Sequence, residues 1–257
     1  MNVIYEDLRY LKDCILFKVR GIFCPINELR QFKDIHKDKR CFIVATGPSL
    51  TIEDVELLKN EYTFAVNSGF RLFDKTEWRP SYYVITDPKF ITDIGKELEK
   101  YNEQIECAFC GENVRWDKKD VHKINVSKQY QNLPSKGLLR KLIDYRQYNF
   151  MSSDISKGII SGHTVVFSAL QIAEYMGFTE IYLLGTDCNY KEKLQYSLLT
   201  SHTHVDNPNA ADLMIIDYLY AKRHFDRKTS TVYNATRGGM LEVFERVELN
   251  NIIQSKG

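Results

Sequence analysis

A chain of 257 residues with 44% hydrophobic and 27% charged residues can bury a substantial core, as one large α/β domain or a domain with appendages. A formal net charge of +1 supplies no general field to attract DNA or RNA, which excludes nucleic acid as an expected partner. No apolar run reaches the roughly 18 residues that cross a bilayer, and the charged start MNVIYEDLRYLKDC is unlike a signal peptide, so the expectation is a cytoplasmic protein.

Residues 1–38 form the first region. YLKDCILFKVRGIF mixes apolar residues with Lys12, Lys18 and Arg20 at helical spacing, which fits a helix packed on the domain or a basic amphipathic segment touching the inner face of an anionic membrane. Residues 39–257 read as the second region, a Rossmann-like catalytic domain. There CFIVA, a turn and the acidic helix start TIEDVELLKN make the βα unit of a parallel sheet. Further strands are expected at 63–67, 82–86, 105–110 and 122–126. An apolar helix over 163–177 stops at Gly177 before the strand EIYLLG, and a helix over 209–226 leads to the strand STVYNAT. The polar stretch 127–157 gives no clear period. The six cysteines are scattered through apolar segments, and most of them read as reduced, buried residues; the lone Cys107-x-x-Cys110 lies within a strand pattern rather than a metal knuckle.

The chemistry-bearing residues fall where strands end. Thr46-Gly47-Pro48-Ser49 follows the first strand: Gly47 admits close backbone approach, Pro48 stiffens the turn, and Ser49 is expected to cap the next helix, whose amides would face an anion. The same residues also make an ordinary strand-to-helix turn. Asn67 and Asp87 end the next two strands, so three consecutive strands present polar turn residues to one sheet edge. Ser161-Gly162 precede the apolar helix and offer a hydroxyl and helix N-terminal amides, and Asp187 ends the strand EIYLLG with Tyr190 and Tyr196 behind it. His202 and His204 fit a general base, a metal pair or two exposed loop histidines. The chain has no Asp-x-Asp, the usual divalent-metal clamp of sugar-diphosphate transferases, and this points to metal-independent chemistry with a leaving group carrying a single phosphate.

Taken in order, ATGPSL (45–50), AVNSGF (65–70), TDPKF (86–90), IISG (159–162), GFTEIYLLGTD (177–187) and VYNATRGGMLEVF (232–244) resemble the bacterial sialyltransferases of glycosyltransferase family 42. They also resemble the wider group of motility-associated factors and the hydroxymethylpterin diphosphokinase of archaea. The resemblance implies an α/β fold, a GT-A variant with a mostly parallel sheet and helices on both faces. It assigns Gly47, Ser49 and Asn67 to the nucleotide of a CMP-sugar, Ser161 and Gly162 to donor orientation, Tyr190 or Tyr196 to the leaving phosphate, and His204, with His202 second, to the base. The implied acceptor is a surface polysaccharide or a lipid-linked glycan, and a homo-oligomer is compatible with it. Thr46 stands where the family has Asn, Asp87 where it has Asn, and Ile160 where it has a hydroxyl. An added carboxylate and a missing hydroxyl make the site less welcoming to an anionic sugar, which leaves the donor open. Two other readings stay beside inverting sugar transfer: an ATP- and Mg²⁺-dependent pterin diphosphokinase-like enzyme using Asp87 and Asp187, and a non-catalytic nucleotide-binding protein.

Overall fold

The computed structural model describes residues 3–128, 130–131, 139, 141, 150–189 and 209–254. Helix α1 (Val3–Phe23) and a 3-10 turn (Asn27–Phe32) come first, and from Arg40 the chain alternates strands with helices. The strands are β1 (Arg40–Val44), β2 (Tyr62–Val66), β3 (Tyr82–Ile85), β4 (Ala108–Gly111), β5 (Val121–Ile124), β6 (Val126–Ser127), β7 (Ile159–Ile160), β8 (Glu180–Leu184), β9 (Thr231–Asn234) and β10 (Glu245–Arg246). Further helices among the described residues are α2 (Ile52–Glu56), α3 (Pro88–Leu98), α4 (Val165–Tyr175), α5 (Ala210–Phe225) and α6 (Leu249–Gln254).

Eight strands form one sheet in the order β10-β9-β8-β1-β2-β3-β4-β5, and every neighbouring pair is parallel. This is the α/β architecture expected from the sequence. Its strands bury both faces, so they read as continuous apolar runs rather than alternating ones. In β1, Cys41 and Ile43 face one core with Phe167, Leu170 and Ile172 of α4 and Tyr218 and Phe225 of α5. Phe42 and Val44 face the other, with Val55 of α2 and Ile91, Ile94 and Leu98 of α3. Pairing of Cys41 with Ile181 and Phe42 with Tyr182 carries the same alternation into β8. From β1 the chain steps outward through β2 to β5 and later re-enters on the opposite side at β8. The reversal point lies between β1 and β8, where open α/β sheets form their ligand crevice.

Strand positions agree with the sequence pattern to within a residue or two, with two instructive exceptions. In IECAFC only the second half is strand, because Ile105 closes the preceding 3-10 turn through its amide to the Asn102 carbonyl. HKINV divides at Asn125, whose carbonyl accepts from the amide of Ile159, so that β6 leaves the large sheet and pairs with β7. At the other end of the molecule, Leu29 and Phe32 are buried in the α4/α5 core, and the amides of Asp34 and His36 donate to the carbonyls of Tyr175 and Met176. Residues 26–38 therefore pack with the sheet, whereas α1 touches it along one side only. Among the described residues no helix is long and apolar enough to cross a membrane.

Candidate active site

Because all strands run the same way, the segments following β9, β8, β1, β2 and β3 share one edge of the sheet. The tightest convergence is at the reversal point. The amide of Gly47 donates to the carbonyl of Gly185 at 2.9 Å, which stitches the turn after β1 to the turn after β8. A Cβ on residue 47 would lie 2.0 Å from Oδ2 of Asp187 and 2.3 Å from the Gly185 carbonyl oxygen, so glycine is obligatory there for space. Asp187 reaches across to Ser49: it accepts from the Ser49 amide at 3.2 Å and from the Ser49 hydroxyl at 2.9 Å. Asp187 is only 8% exposed, and burial pushes its pKa above the ordinary Asp value despite the opposing bonds from Ser49.

The chain after β9 closes this corner from the other side. The Met240 amide donates to the Asp187 carbonyl at 2.7 Å, and the Thr186 amide donates to the Thr236 hydroxyl at 3.1 Å. Asn234, fully buried, shapes that loop by donating to the Leu241 carbonyl and accepting from the Thr236 amide. Arg237 then pairs with Asp54 at the start of α2.

Ser49 does not cap a helix. The cap of α2 is Thr51, whose side chain accepts from the Asp54 amide at 3.2 Å while the Asp54 carboxylate accepts from the Thr51 amide at 3.1 Å. This reciprocal capping box was legible as Thr51-x-x-Asp54, a better cap signal than Ser49. With its amide and hydroxyl on Asp187, Ser49 is a tie between two loops. Thr46 and Pro48 stand beside it, half-buried.

Asn67, at the end of β2, has φ +48°, and its carbonyl accepts from the Tyr83 hydroxyl. Its side-chain Oδ1 is buried and has no hydrogen-bond partner among the described residues. Asp87, after β3, is exposed and caps α3 by accepting from the Lys89 amide at 2.9 Å.

The turn before α4 is also built around a carboxylate, one the sequence did not single out. Asp217 of α5 is fully buried and accepts from the amides of His163 at 2.5 Å and Thr164 at 3.0 Å. The amides of the turn into α4, at His163 and Thr164, thus meet an internal anion, and the first-turn amide of Val166 donates to the Thr164 hydroxyl at 3.3 Å. Gly162 is small for the same reason: a Cβ would stand 2.5 Å from Oδ2 of Asp217. Ser161 is half-buried, its amide donating to the Ser127 carbonyl and its hydroxyl to the Gly162 carbonyl. His163 Nδ1 lies 2.9 Å from Asp217 Oδ1. A carboxylate oxygen accepts here, so in the neutral imidazole this contact puts the ring proton on Nδ1 and leaves Nε2 as the acceptor. The Tyr130 hydroxyl also bonds Asp217, and burial followed by this carboxylate pushes the Tyr130 pKa up. Cys188 links the two corners, since its thiol is raised to about 12 by burial and then by the fields of Asp187 and Asp217. Asp217 escaped sequence reasoning because it lies 54 residues from its partner turn. A lone acid inside the apolar run LMIIDYLYA was its only trace.

Tyr190, Tyr196, His202 and His204 lie outside the described residues. Among the described residues no group of three or more His, Cys, Asp or Glu side chains is arranged to hold a metal ion.

A parallel doubly wound sheet with polar turns gathered at its reversal point defines an α/β protein of the Rossmann-like architecture. Within it, the chain belongs to the MptE-like family, described as 6-hydroxymethylpterin diphosphokinase MptE-like, whose model matches residues 20–193. Among solved structures it is similar in fold to the MAf glycosyltransferase from Magnetospirillum magneticum AMB-1, with a TM-score of 0.54 and 16% identity. That match covers 89% of this chain and 39% of the other, so the chain spans well under half the length of that protein. A search of curated proteins found no match.

Proposed function

We propose that this protein is a glycosyltransferase that moves a sugar from a nucleotide-activated donor, CMP-linked by preference, to a glycan or lipid-linked acceptor. The observation that carries the reading is the buried Oδ1 of Asn67, without a hydrogen-bond partner among the described residues, at the sheet edge that holds the Gly47–Asp187 corner. Such an oxygen is costly to leave without a donor, and a ribose hydroxyl or the amino group of cytosine supplies one. The glycosyltransferase among its structural neighbours supports the same class.

In the transfer, the acceptor hydroxyl oxygen attacks the anomeric carbon while the bond from that carbon to the phosphate oxygen breaks. CMP departs with the electron pair, and the hydroxyl proton passes to a histidine. Tyr190 or Tyr196 is assigned to the leaving phosphate and His204 or His202 to the base. His163 has the matching chemistry among the described residues, because Asp217 holds Nδ1 and leaves Nε2 to accept a proton.

The family description, which names a diphosphokinase, favours one other reading; it would be ATP-dependent and use Asp87 and Asp187. Both carboxylates already have backbone or side-chain partners, Lys89 and Ser49. Thermal stabilisation by nucleotides separates the two. A ligand at about 100 times its Kd adds roughly 2.7 kcal/mol. Stabilisation by CMP in EDTA, with turnover of a CMP-sugar lost in one of His163→Gln, His202→Gln or His204→Gln, is the expected result. Stabilisation by ATP with Mg²⁺ alone would overturn it in favour of the kinase.

A further inference from the structure

Helix α1 turns its apolar side chains away from the protein. Ile4, Leu8, Leu11, Ile15, Val19 and Ile22 form an exposed stripe at helical spacing, with Tyr5 and Phe23 near its ends; Ile22 is 69% and Phe23 75% exposed. The side turned to the body carries Tyr10 and Gly21, both buried, with Phe17 packed on the core and the acids Glu6, Asp7 and Asp13 half-buried beside them. Every acid of the helix is thus on the docked side, while Lys12, Lys18 and Arg20 are exposed among the apolar residues. The helix is held in this orientation by Phe17 against Gly158, Gly21 against Lys157, and an ion pair from Arg20 to Glu112 at 2.9 Å.

We propose that α1 is an interfacial helix that lies on a bilayer rich in anionic headgroups, with its apolar stripe at the acyl boundary and Lys12 and Lys18 at the phosphates. The charge segregation selects this occupant, because an outward face that is apolar and cationic with no exposed acid complements an anionic lipid surface. Lys18 argues against a second copy of the chain. It falls between Ile15 and Ile22 on the stripe, where a helix–helix seam would bury its ammonium. On lipid its stem lies along the apolar surface and the charge reaches water. Glu112 directly follows the carboxyl end of β4, so the lipid-facing helix is tethered to the sheet edge that carries the candidate site.

The test is co-sedimentation of the full chain with vesicles of phosphatidylcholine alone and of phosphatidylcholine mixed with phosphatidylglycerol. Each exposed lysine contributes roughly fivefold at an anionic surface, so Lys12 and Lys18 together predict about a 25-fold preference for the mixed vesicles, reduced by salt. Leu8→Glu/Ile15→Glu should abolish sedimentation and Lys12→Glu/Lys18→Glu the anionic preference. Both pairs are exposed, and unchanged melting temperatures will show that the fold is kept. Equal sedimentation with both vesicle types, or none, overturns the proposal. So does a dimer in analytical ultracentrifugation that Leu8→Glu/Ile15→Glu dissociates, which would assign the stripe to a second copy.

Discussion

The turns after β1 and before α4 invite the same reading, a small-residue bend offering backbone amides to an anion, and the fold fills both with carboxylates of its own. They differ in how those carboxylates are satisfied. Asp217 accepts from two amides, an imidazole and a tyrosine hydroxyl in a fully buried position. Among the described residues the Asp187 carboxylate accepts from Ser49 and from its own backbone amide, and it sits at an edge where burial outweighs that help. The first is a structural clamp; the second is a carboxylate whose charged form burial disfavours, at the reversal point of the sheet. A glycine beside a helix start therefore signals close approach without saying whether the neighbour is a ligand or the protein itself.

Substituting the glycines should have the largest effect and rank the two corners. Gly47→Ala places a methyl group against a backbone carbonyl and a carboxylate at once, at a cost of about 3 kcal/mol or more. Gly162→Ala meets Asp217 and the Phe167 ring edge at 2.9 Å and should cost about 2 kcal/mol. Chemical denaturation measures both, and an equal or reversed ranking would break the comparison.

Isosteric neutralisation should then give opposite signs. Asp217→Asn loses charge-assisted bonds and is expected to destabilise by about 1–3 kcal/mol. Asp187 has a raised pKa in the folded protein, so its protonated form is the one folding favours; that contribution is present below the ordinary value of about 3.9 and lost as pH rises through the folded pKa. Asp187→Asn should accordingly match the parent in acid and become the more stable of the two as pH rises towards 8. Urea midpoints across about pH 4 to 8 test this, and a variant less stable at every pH would show that Asp187 is a clamp like Asp217.

The smallest effect is expected at the cap. Thr51→Ala should lower stability by about 1 kcal/mol, a fall of roughly 2–4 °C in Tm for a chain of this size. Ser49→Ala would exceed it, because it strips a buried carboxylate of a donor rather than a helix of its cap.

How much of this was legible follows the range of the interactions. The strands could be read from Arg40 to Asn234 because burial on both faces writes continuous apolar runs into the sequence. The common edge for residues 47, 67 and 87 followed from the βα alternation alone. Roles set by distant partners were hidden: Ser49 reads as a cap because Asp187, its partner, is 138 residues away, and Gln171 reads as one polar residue in an apolar helix although it clips the Ile160 and Ser152 backbone to α4. The separation of β6 from the large sheet likewise depends on long-range bonds from Ile159 to Asn125 and from Ser161 to Ser127.

Cys188 carries a consequence for chemical durability. Burial and the neighbouring carboxylates push its thiol up to about 12, so the reactive thiolate is scarce at pH 7, and the residue is 4% exposed. Cys24, by contrast, is open to solvent. Electrophiles and oxidants will therefore spend themselves at the end of α1 before they reach the crowded corner between Asp187 and Asp217. Delayed alkylation of Cys188 is a clock for how often that corner opens.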